Sequence, residues 1–541
     1  MDDLILKYAL KNAVDYNGKA DSKSVIGKIL SEKKSYKKQL KEIIPKINQI
    51  VEQVNNLTIE EQKQRLASFT FKKIKKKERS KELSGVKGNM IMRFAPNPNG
   101  ALSLGHCRQA LWNWFFVQKY KGRFILRFDD TDPKIKIPLK QAYKWIQEDL
   151  EWLGVKINKI HIQSSNLKAY YKYVEKLIGL NKAYVCDCNA DYWRELTSKK
   201  QPCPCRKFKS HEQLKRWKLM FTTYNEGEAV LRIKTDIKDK NPALRDWPAF
   251  RIVDRGEHPL VKAKVWPLLN FASAIDDYEL KVTHILRGID LKISDDRQKY
   301  IYKYLKWEYP KTTYTGMLHF SGIKSTSEIR KQIELGNLSG WDDIALGTIK
   351  ALRKRGFQPE AISNFIKSVG INRSDIKVDI NNLNAFNKEI VDKTANRYFI
   401  VFNPKKIKIK DAYEMETQLP LHPDFPERGF RNFLTKDEFY VQDDLDNKKM
   451  YRFIHLFNFK DNKFISLDHN PDLDAKLIHW LPADDVVNIQ VTMPDNSIRR
   501  GVGESNLKSL KVREVIQAER NFFLCLNKKN KDNLEFSYLH E

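Results

Sequence analysis

Between residues 40 and 54, Leu40, Ile43, Ile44, Ile47, Ile50, Val51 and Val54 recur at three- and four-residue spacing, one face of an α-helix. Thr58 followed by Glu61 is a capping box that opens another, so residues 1 to about 85 read as helical. From 89 to 132 the pattern becomes strand, loop, helix, strand. Met90 to Phe94 is a short apolar strand, and Pro96, Pro98, Asn99 and Gly100 make a loop that no helix tolerates. Ala110, Leu111, Trp114, Phe115 and Val117 mark a buried helix that stops near Gly122, and Phe124 to Phe128 is the next strand. This βαβ opening predicts a parallel sheet with helices on both faces. A cysteine-bearing segment at about 180–265 interrupts it, and strand–helix alternation returns over 266–310. Residues 328–395 read as helical, broken at Gly356 and Pro359. From about 397 the period falls to two: Val487, Ile489, Val491 and Met493 alternate with Asn488, Gln490 and Thr492 before the turn Pro494-Asp495-Asn496-Ser497. That predicts a half-buried antiparallel strand within an all-β tail.

Composition narrows the class. At roughly 150 residues per domain, 541 residues predict three to four domains. A hydrophobic content of 41%, with 11 Trp, 22 Tyr and 28 Phe, excludes wholesale disorder. No apolar run approaches the roughly 20 residues needed to span a bilayer. The start Met1-Asp2-Asp3 lacks the basic and apolar regions of a signal peptide, so a cytoplasmic location without membrane attachment is expected. Six Cys make no disulfide scaffold and imply a reducing compartment. Lys and Arg total 98 against 68 Asp and Glu, a net charge of +30 that exceeds what solubility requires. A polyanionic partner is expected, nucleic acid foremost; a lysine-rich composition on solvated helix faces is the plainer alternative. The run Lys72-Lys73-Ile74-Lys75-Lys76-Lys77-Glu78-Arg79 reads as a linker or a phosphate contact.

Five segments carry chemistry. Arg93-Phe94-Ala95-Pro96-Asn97-Pro98-Asn99-Gly100-Ala101-Leu102-Ser103-Leu104-Gly105-His106 joins the first strand to the first helix, where free N–H groups and the helix dipole favour an anion. Gly100 and Gly105 allow close approach, and His106 can donate to a phosphate. Leu126-Arg127-Phe128-Asp129-Asp130-Thr131-Asp132-Pro133 puts carboxylates at a strand's C-terminal end, facing the ligand crevice of an open α/β sheet, or forms a solvated acidic turn. Trp266-Pro267-Leu268-Leu269-Asn270-Phe271-Ala272-Ser273-Ala274-Ile275-Asp276-Asp277 leads on to Thr283-His284-Ile285-Leu286-Arg287-Gly288. Ser325-Thr326-Ser327-Glu328-Ile329-Arg330-Lys331 is followed by Ser339-Gly340-Trp341-Asp342-Asp343. Finally, Cys186-Asp187-Cys188 and Cys203-Pro204-Cys205 offer four thiolates for a tetrahedral zinc, or four reduced thiols without a metal.

Together these segments resemble the class I aminoacyl-tRNA synthetases of the glutamyl and glutaminyl branch, in the archaeal/eukaryotic glutamyl type. The likeness covers essentially the whole chain, from Tyr8-Ala9-Leu10-Lys11-Asn12-Ala13 to His422-Pro423-Asp424-Phe425-Pro426, Ile478-His479-Trp480-Leu481-Pro482 and Met493-Pro494-Asp495. It implies a multidomain α/β plus all-β chain. The helical N-terminal extension spans 1–85 and the first half of a Rossmann-type catalytic domain 86–180. An acceptor-binding insertion with a zinc element follows at 181–265, and the second half with a mobile signature loop at 266–330. A helical connector at 331–396 leads to a β-barrel anticodon-binding region at 397–541. The implied substrates are ATP with Mg²⁺, glutamate and tRNA(Glu). Whether tRNA(Gln) is also charged is left open, as is the oligomeric state, for which a monomer is favoured.

Residue by residue, the resemblance places Pro96, Asn97, Gly105, His106, Ser325 and Ser327 around ATP, with His106, Ser103, Lys324 and Arg330 acting as charge develops. Asp129 would hold the substrate ammonium, and Arg287, Arg93 and Asn270 line the glutamate site. A buried guanidinium needs a carboxylate, so Arg287 favours glutamate over glutamine; its competing role is a structural ion pair to Asp276 or Asp277. The zinc would be structural, held by Cys186, Cys188, Cys203 and Cys205. Three departures stand out. Ser103 replaces the family's first signature His, Leu269 replaces a Tyr, and Glu328 replaces a Lys beside the triphosphate. A glutaminyl enzyme and a catalytically weak tRNA-binding paralogue are the alternatives. No nucleophilic side chain is required, in keeping with the lack of a convincing Ser/His/Asp or Cys/His set; positioning and electrostatics would carry catalysis.

Overall fold

The computed structural model describes residues 2–15, 18–32, 36, 40–69, 82–83, 85–86, 88–320, 325–469 and 471–541. The basic run 72–79 and Lys324 lie outside the described residues. The chain divides into two compact units, Met1–Lys81 and Glu82–Glu541.

The first unit is helical: α1 Asp2–Asp15, α2 Ser22–Glu32, α3 Leu40–Asn55 and α4 Ile59–Leu66. The periodic face of α3 is buried at Ile43, Ile47, Val51 and Val54, packed with Ile5, Ala9, Val25 and Ile29. Thr58 and Glu61 form the expected capping box, Thr58 N–H donating to the carboxylate at 2.8 Å and Glu61 N–H to Thr58 Oγ1 at 3.3 Å. The buried Gln62 amide donates to the carbonyls of Gly18, Val54 and Leu57, tying the loops to the core.

The second unit opens with β1 Ile91–Phe94, α5 Leu104–Lys119, β2 Arg123–Phe128, α6 Ala142–Trp152, β3 Lys159–Ile162 and α7 Leu167–Gly179. An antiparallel sheet follows, β4 Ala183–Cys186, β5 Val230–Ile233, β6 Pro248–Ile252 and β7 Val265–Pro267, with α8 Ala190–Ser198 and α9 Ser210–Thr222 between its first two strands. Then come α10 Leu269–Glu279, β8 His284–Gly288, α11 Lys292–Leu305, β9 Lys311–Thr315, β10 Leu318–Phe320 and α12 Thr326–Glu334. Strands β1, β2 and β3 pair in parallel, as do β8 and β9. Thr283 N–H donates to Ile91 O at 3.0 Å, setting β8 beside β1. The order is therefore β3-β2-β1-β8-β9, and the chain leaves from the β3 edge and returns next to β1. That reversal creates a crevice at the strands' C-terminal ends. The period-based boundary at 265/266 falls within β7, which pairs with β6 and so completes the insertion sheet.

The connector comprises α13 Ile349–Arg355, α14 Pro359–Val369, β11 Ile376–Val378 and α15 Ile380–Thr394. Gly356 caps α13 at φ +99° and Pro359 starts α14, which is the predicted break. The three-residue β11 pairs with β10, too short to leave a periodic trace. In the tail, a seven-stranded sheet has Asn396–Tyr398 at one edge and Ile400–Phe402 at the other, so neighbouring residues bring its edges together. Val487, Ile489 and Val491 are buried, as the alternation requires. Their strand, Val486–Thr492, pairs antiparallel with Ile498–Glu504 and also parallel with Asn533–His540. A second core packs Phe439, Phe453, Phe459 and Trp480 between the smaller sheets. No helix among the described residues is long and apolar enough to cross a membrane.

Candidate active site

Strand periodicity builds one wall of the crevice. Met92 and Phe94 of β1 and Phe124, Leu126 and Phe128 of β2 face the large helical core, so Arg93 and Arg127 project from the opposite face toward α10. On α10, Asn270, Ser273 and Asp277 share one face at i, i+3 and i+7. Arg93 donates to Asp277 through Nε at 3.0 Å and Nη2 at 3.3 Å. Arg127 reaches Asp277 Oδ1 through Nη1 at 2.7 Å and Asp129 Oδ1 through Nε at 2.6 Å, and Ser273 Oγ accepts from its Nη2 at 3.1 Å. Burial alone would raise Asp277, but the Arg93 and Arg127 guanidiniums hold it below the ordinary carboxylate value. Burial does win at Asp129, which is raised despite Arg127. Arg127 was missed as a site residue at the sequence level; its signal was a lone cation inside an otherwise apolar strand.

Arg287 is the next-to-last residue of β8 and is 6% exposed. It donates to Gln298 Oε1 from Nη1 at 3.2 Å and stands 3.9 Å from Asp295, while its buried Nε has no partner. Asp295 is shared with Lys299, Tyr309 and Tyr314. The expected structural alternative for Arg287 does not form. Asp277 is taken by Arg93 and Arg127, and Asp276 accepts from Tyr170, Gln163 and Asn166. Arg93, proposed for a substrate carboxylate, is bound to Asp277 through two of its nitrogens. Asn270 is buried, with its Oδ1 lacking a partner. The acidic turn is divided: Asp130 points inward to Tyr143 and Ser164, while Asp132 binds Arg251 of the insertion at 2.6 Å.

A second wall of the crevice starts at the loop after β1. Asn97 Nδ2 donates to Asp129 O at 2.9 Å, and Asp129 N–H donates to Pro96 O at 3.0 Å, locking this loop to the end of β2. Gly100 serves packing, since a Cβ there would lie 2.2 Å from the Trp341 indole. At Gly105 a Cβ would meet protein atoms only at 3.6 and 3.9 Å, so the room it leaves is not used by the protein. Ser103 caps α5, and its N–H and hydroxyl approach His106 Nδ1 at 3.2 and 3.1 Å. A backbone N–H on Nδ1 fixes the neutral tautomer with hydrogen on Nε2. Desolvation by the surrounding protein, then the Lys136 ammonium, lowers the His106 pKa, which favours the neutral ring as a donor toward the crevice.

In the second loop Ser325 caps α12, accepting from Glu328 N–H at 3.2 Å, and Ser327 is exposed. Glu328 thus occupies the first turn, where the helix dipole favours an anion, and accepts from Gln332 at 2.7 Å. Its negative charge has this local structural cause. Arg330, expected to move toward phosphate, is tied to Ile137 O at 3.1 Å and Glu334 at 2.9 Å.

The four cysteines converge as the paired spacing predicts, their Sγ atoms all within 4.8 Å of one another. Cys186···Cys203, Cys188···Cys203 and Cys188···Cys205 are 3.5, 3.3 and 3.5 Å apart. A tetrahedron with Zn–S bonds of ~2.3 Å has edges of ~3.8 Å, so the donor set fits that ion. Thiols of Cys203 and Cys205 hydrogen-bond to Cys186 and pull its pKa far down, while Cys203 is driven up.

Comparison with known proteins agrees with this geometry. Residues 89–393 match the model of the "tRNA synthetases class I (E and Q), catalytic domain", and residues 395–476 that of the corresponding anti-codon binding domain. Curated relatives named glutamate–tRNA ligase are similar throughout. Those of Methanocaldococcus jannaschii and Pyrococcus furiosus are 44% and 45% identical, each aligned over 100% of both chains. That of Methanococcus maripaludis is 40% identical over 98% of both. With a catalytic core, a matching anticodon-binding region and full-length relatives of this one kind, the chain belongs to the class I tRNA synthetases of the glutamate and glutamine branch, in its glutamate–tRNA ligase family.

Proposed function

We propose that the protein activates glutamate with ATP and transfers it, through a glutamyl-adenylate, to the terminal ribose of tRNA(Glu) in the cytoplasm, acting as a monomer. Arg287 carries the choice of amino acid: it is a buried cation at the crevice whose Nε lacks an acceptor, and a γ-carboxylate supplies one where an amide cannot. Asp129, at the end of β2, takes the α-ammonium, and Asn270 completes the pocket. Arg93 acts by fixing Asp277, which in turn orients Arg127 and through it Asp129.

An α-carboxylate oxygen of glutamate attacks the α-phosphorus of ATP, and pyrophosphate leaves. The Mg²⁺ that enters with ATP would screen the charge of the triphosphate. His106 Nε2–H donates to the phosphate as charge grows, with Ser103 holding the ring in that tautomer. Pro96, Asn97 and Gly105 shape the wall against the nucleotide, and Ser325 and Ser327 present hydroxyls from the second loop. Because Arg330 is engaged with Ile137 and Glu334, Lys324 is the cation assigned to the leaving pyrophosphate. The ribose hydroxyl of tRNA then displaces AMP from the adenylate. Cys186, Cys188, Cys203 and Cys205 would hold a zinc ion that closes the insertion and would take no part in the reaction.

Charging assays with ATP, purified tRNA(Glu), tRNA(Gln) and labelled glutamate or glutamine test this reading. Glutamate is expected on tRNA(Glu), and side-by-side charging decides whether tRNA(Gln) is a second substrate. Glutamine charging, or no charging with either amino acid, overturns the proposal. Metal analysis should find about one zinc per chain; none would leave the cysteines as free thiols.

A further inference from the structure

Helix α11 buries one stripe, Asp295, Gln298, Ile301, Tyr302 and Leu305. Its first two positions hold an acid and an amide, 0% and 1% exposed, where apolar side chains would pack without desolvating a polar group. Burying such groups costs free energy unless each is hydrogen-bonded. Both are, and they treat the neighbouring Arg287 differently.

Asp295 is saturated by other donors. Its Oδ1 accepts from Tyr309 OH at 2.8 Å and Thr312 Oγ1 at 3.1 Å, and its Oδ2 from Tyr314 OH and Lys299 Nζ, both at 2.7 Å. Burial would raise its pKa, but these donors, Lys299 foremost, hold it below the ordinary carboxylate value. Among the described residues Asp295 is the one carboxylate within ion-pair distance of Arg287, and at 3.9 Å it is too far for a hydrogen bond. Lys299 has taken the close ion pair that Arg287 lacks. Gln298 takes Arg287 instead: Nη1 donates to Oε1 at 3.2 Å, and Tyr309 OH reaches the same oxygen at 3.0 Å, so one hydroxyl bridges Gln298 and Asp295. Reversing the carboxamide would set its NH2 against the guanidinium, so Arg287 fixes its orientation. The amide thus holds the guanidinium and leaves its charge uncompensated. A carboxylate at this position would do the first and undo the second.

We infer that Gln298 is a positioning residue that sets the selectivity of the amino-acid site, giving Arg287 a neutral acceptor so that its positive charge is kept for an acidic substrate side chain. The inference rests on the assignment of Arg287 to the substrate γ-carboxylate made above. Arg287 Nε, buried and without a partner, is left over once Gln298 has taken Nη1. A neutral substrate side chain leaves that cation unpaired, which disfavours glutamine. Were Arg287 neutralised from α11, that penalty would vanish and a γ-carboxylate would meet repulsion.

Gln298→Glu keeps the size of the side chain and adds the charge. In charging assays with the full chain, ATP and tRNA(Glu), kcat/KM for glutamate should fall at least about 100-fold, mainly through KM, and the preference for glutamate over glutamine should narrow at least about tenfold. KM for ATP should stay within about twofold, since the change is confined to the amino-acid pocket. Gln298→Met removes the acceptor without adding charge, so KM for glutamate should rise only about tenfold with the preference largely kept. Wild-type KM and preference in Gln298→Glu overturn the inference. An equal loss in both variants also overturns it, because charge at this position would then not matter and Gln298 would serve packing alone. If circular dichroism shows that Gln298→Glu does not fold, Lys299→Met shifts the balance the same way from a side chain that is 49% exposed, by freeing Asp295 toward Arg287. It should raise KM for glutamate about threefold or more, and a wild-type KM there overturns the inference. Failure of the function is separable. Loss of glutamate charging in Arg287→Ala with wild-type kinetics in Gln298→Glu sinks only the role of Gln298. A wild type that binds glutamate by calorimetry but charges nothing, with that binding lost in Gln298→Glu, sinks only the function.

Discussion

Two carboxylates, Asp277 and Asp149, are both buried in the catalytic unit, yet they sit in opposite states. Asp277 accepts three hydrogen bonds from two guanidiniums and is held ionised. Asp149, on α6 against α13, has Arg353 Nη1 at 3.5 Å, but neither of its oxygens has a hydrogen-bond partner. Burial raises its pKa to about 7, although Lys350 and Arg353 act to lower it. Nearby opposite charge is therefore not enough; direct hydrogen bonds to the charged form make the difference. At the crevice, Asp277 keeps its charge and holds the two guanidiniums in place. At the seam with the connector, Asp149 titrates.

The largest effect should follow from removing the fixed partner. Asp277→Ala leaves Arg93 and Arg127 buried without their shared carboxylate, a loss of about 3–5 kcal/mol for breaking a buried ion pair from one side. Urea unfolding followed through the catalytic unit should register it together with a loss of charging, and a change below about 1 kcal/mol would show that the network is not what holds α10 to the sheet. Arg287→Ala tests the looser cation. Asp295 keeps Lys299, Tyr309 and Tyr314, so stability should change little. The kcat/KM for glutamate should fall about 10²–10³-fold, the cost of removing one partner from a desolvated charge pair. Unchanged glutamate kinetics would mean that Arg287 serves structure alone.

Among the described residues, the positions proposed to surround ATP carry little positive charge of their own. His106 is neutral, Ser103 is a hydroxyl and Glu328 is an anion serving its own helix. His106→Ala should slow adenylate formation about 10²-fold, the usual yield of one placed donor, and His106→Gln should recover most of that because an amide N–H can replace Nε2–H. Since the His106 pKa lies below the ordinary histidine value, protonation of this ring should begin to slow the rate only at a lower pH than an ordinary imidazole would. A rise in rate as pH falls from 8 to 6.5, lost in His106→Gln, would show that the imidazolium is the working form.

Much of this was legible in the chain. Local signals survive folding: the α3 stripe, the Thr58 capping box, the Gly356–Pro359 break and the alternating 487–491 strand depend on neighbours within a few residues. The cysteine spacing was readable for the same reason, since each pair comes from one turn. What could not be read depends on pairing across distance. Arg93 looked free for substrate because only the β1–β2 register and the 273/277 helix face bring Asp277 to it and to Arg127. Arg330 looked mobile because its acceptor is a backbone carbonyl, Ile137 O, which carries no side-chain signal. Glu328 looked like a lost lysine until the helix start at Ser325 gave its charge a cause.

The smallest expected effect on charging sharpens the contrast from the other side. A carboxylate whose folded pKa is about 7, against an ordinary 3.8, binds more protons in the folded than in the unfolded state between those values. Stability contributed by the protonated form is then present at acid pH and lost as pH rises through 7. Asp149→Asn keeps the shape and removes the charge, and Arg353 on the other side is partly solvated and tolerates the change. The variant should match the wild type below about pH 4, exceed it by an amount that grows to about 4 kcal/mol at pH 8, and charge tRNA within twofold of it. The same experiment on Asp277→Asn should go the other way, with the variant less stable at pH 8 because its partner charges stay buried. If Asp149→Asn is also destabilised at pH 8, then Arg353 pairs with Asp149 as firmly as Arg93 does with Asp277, and the two carboxylates are alike after all.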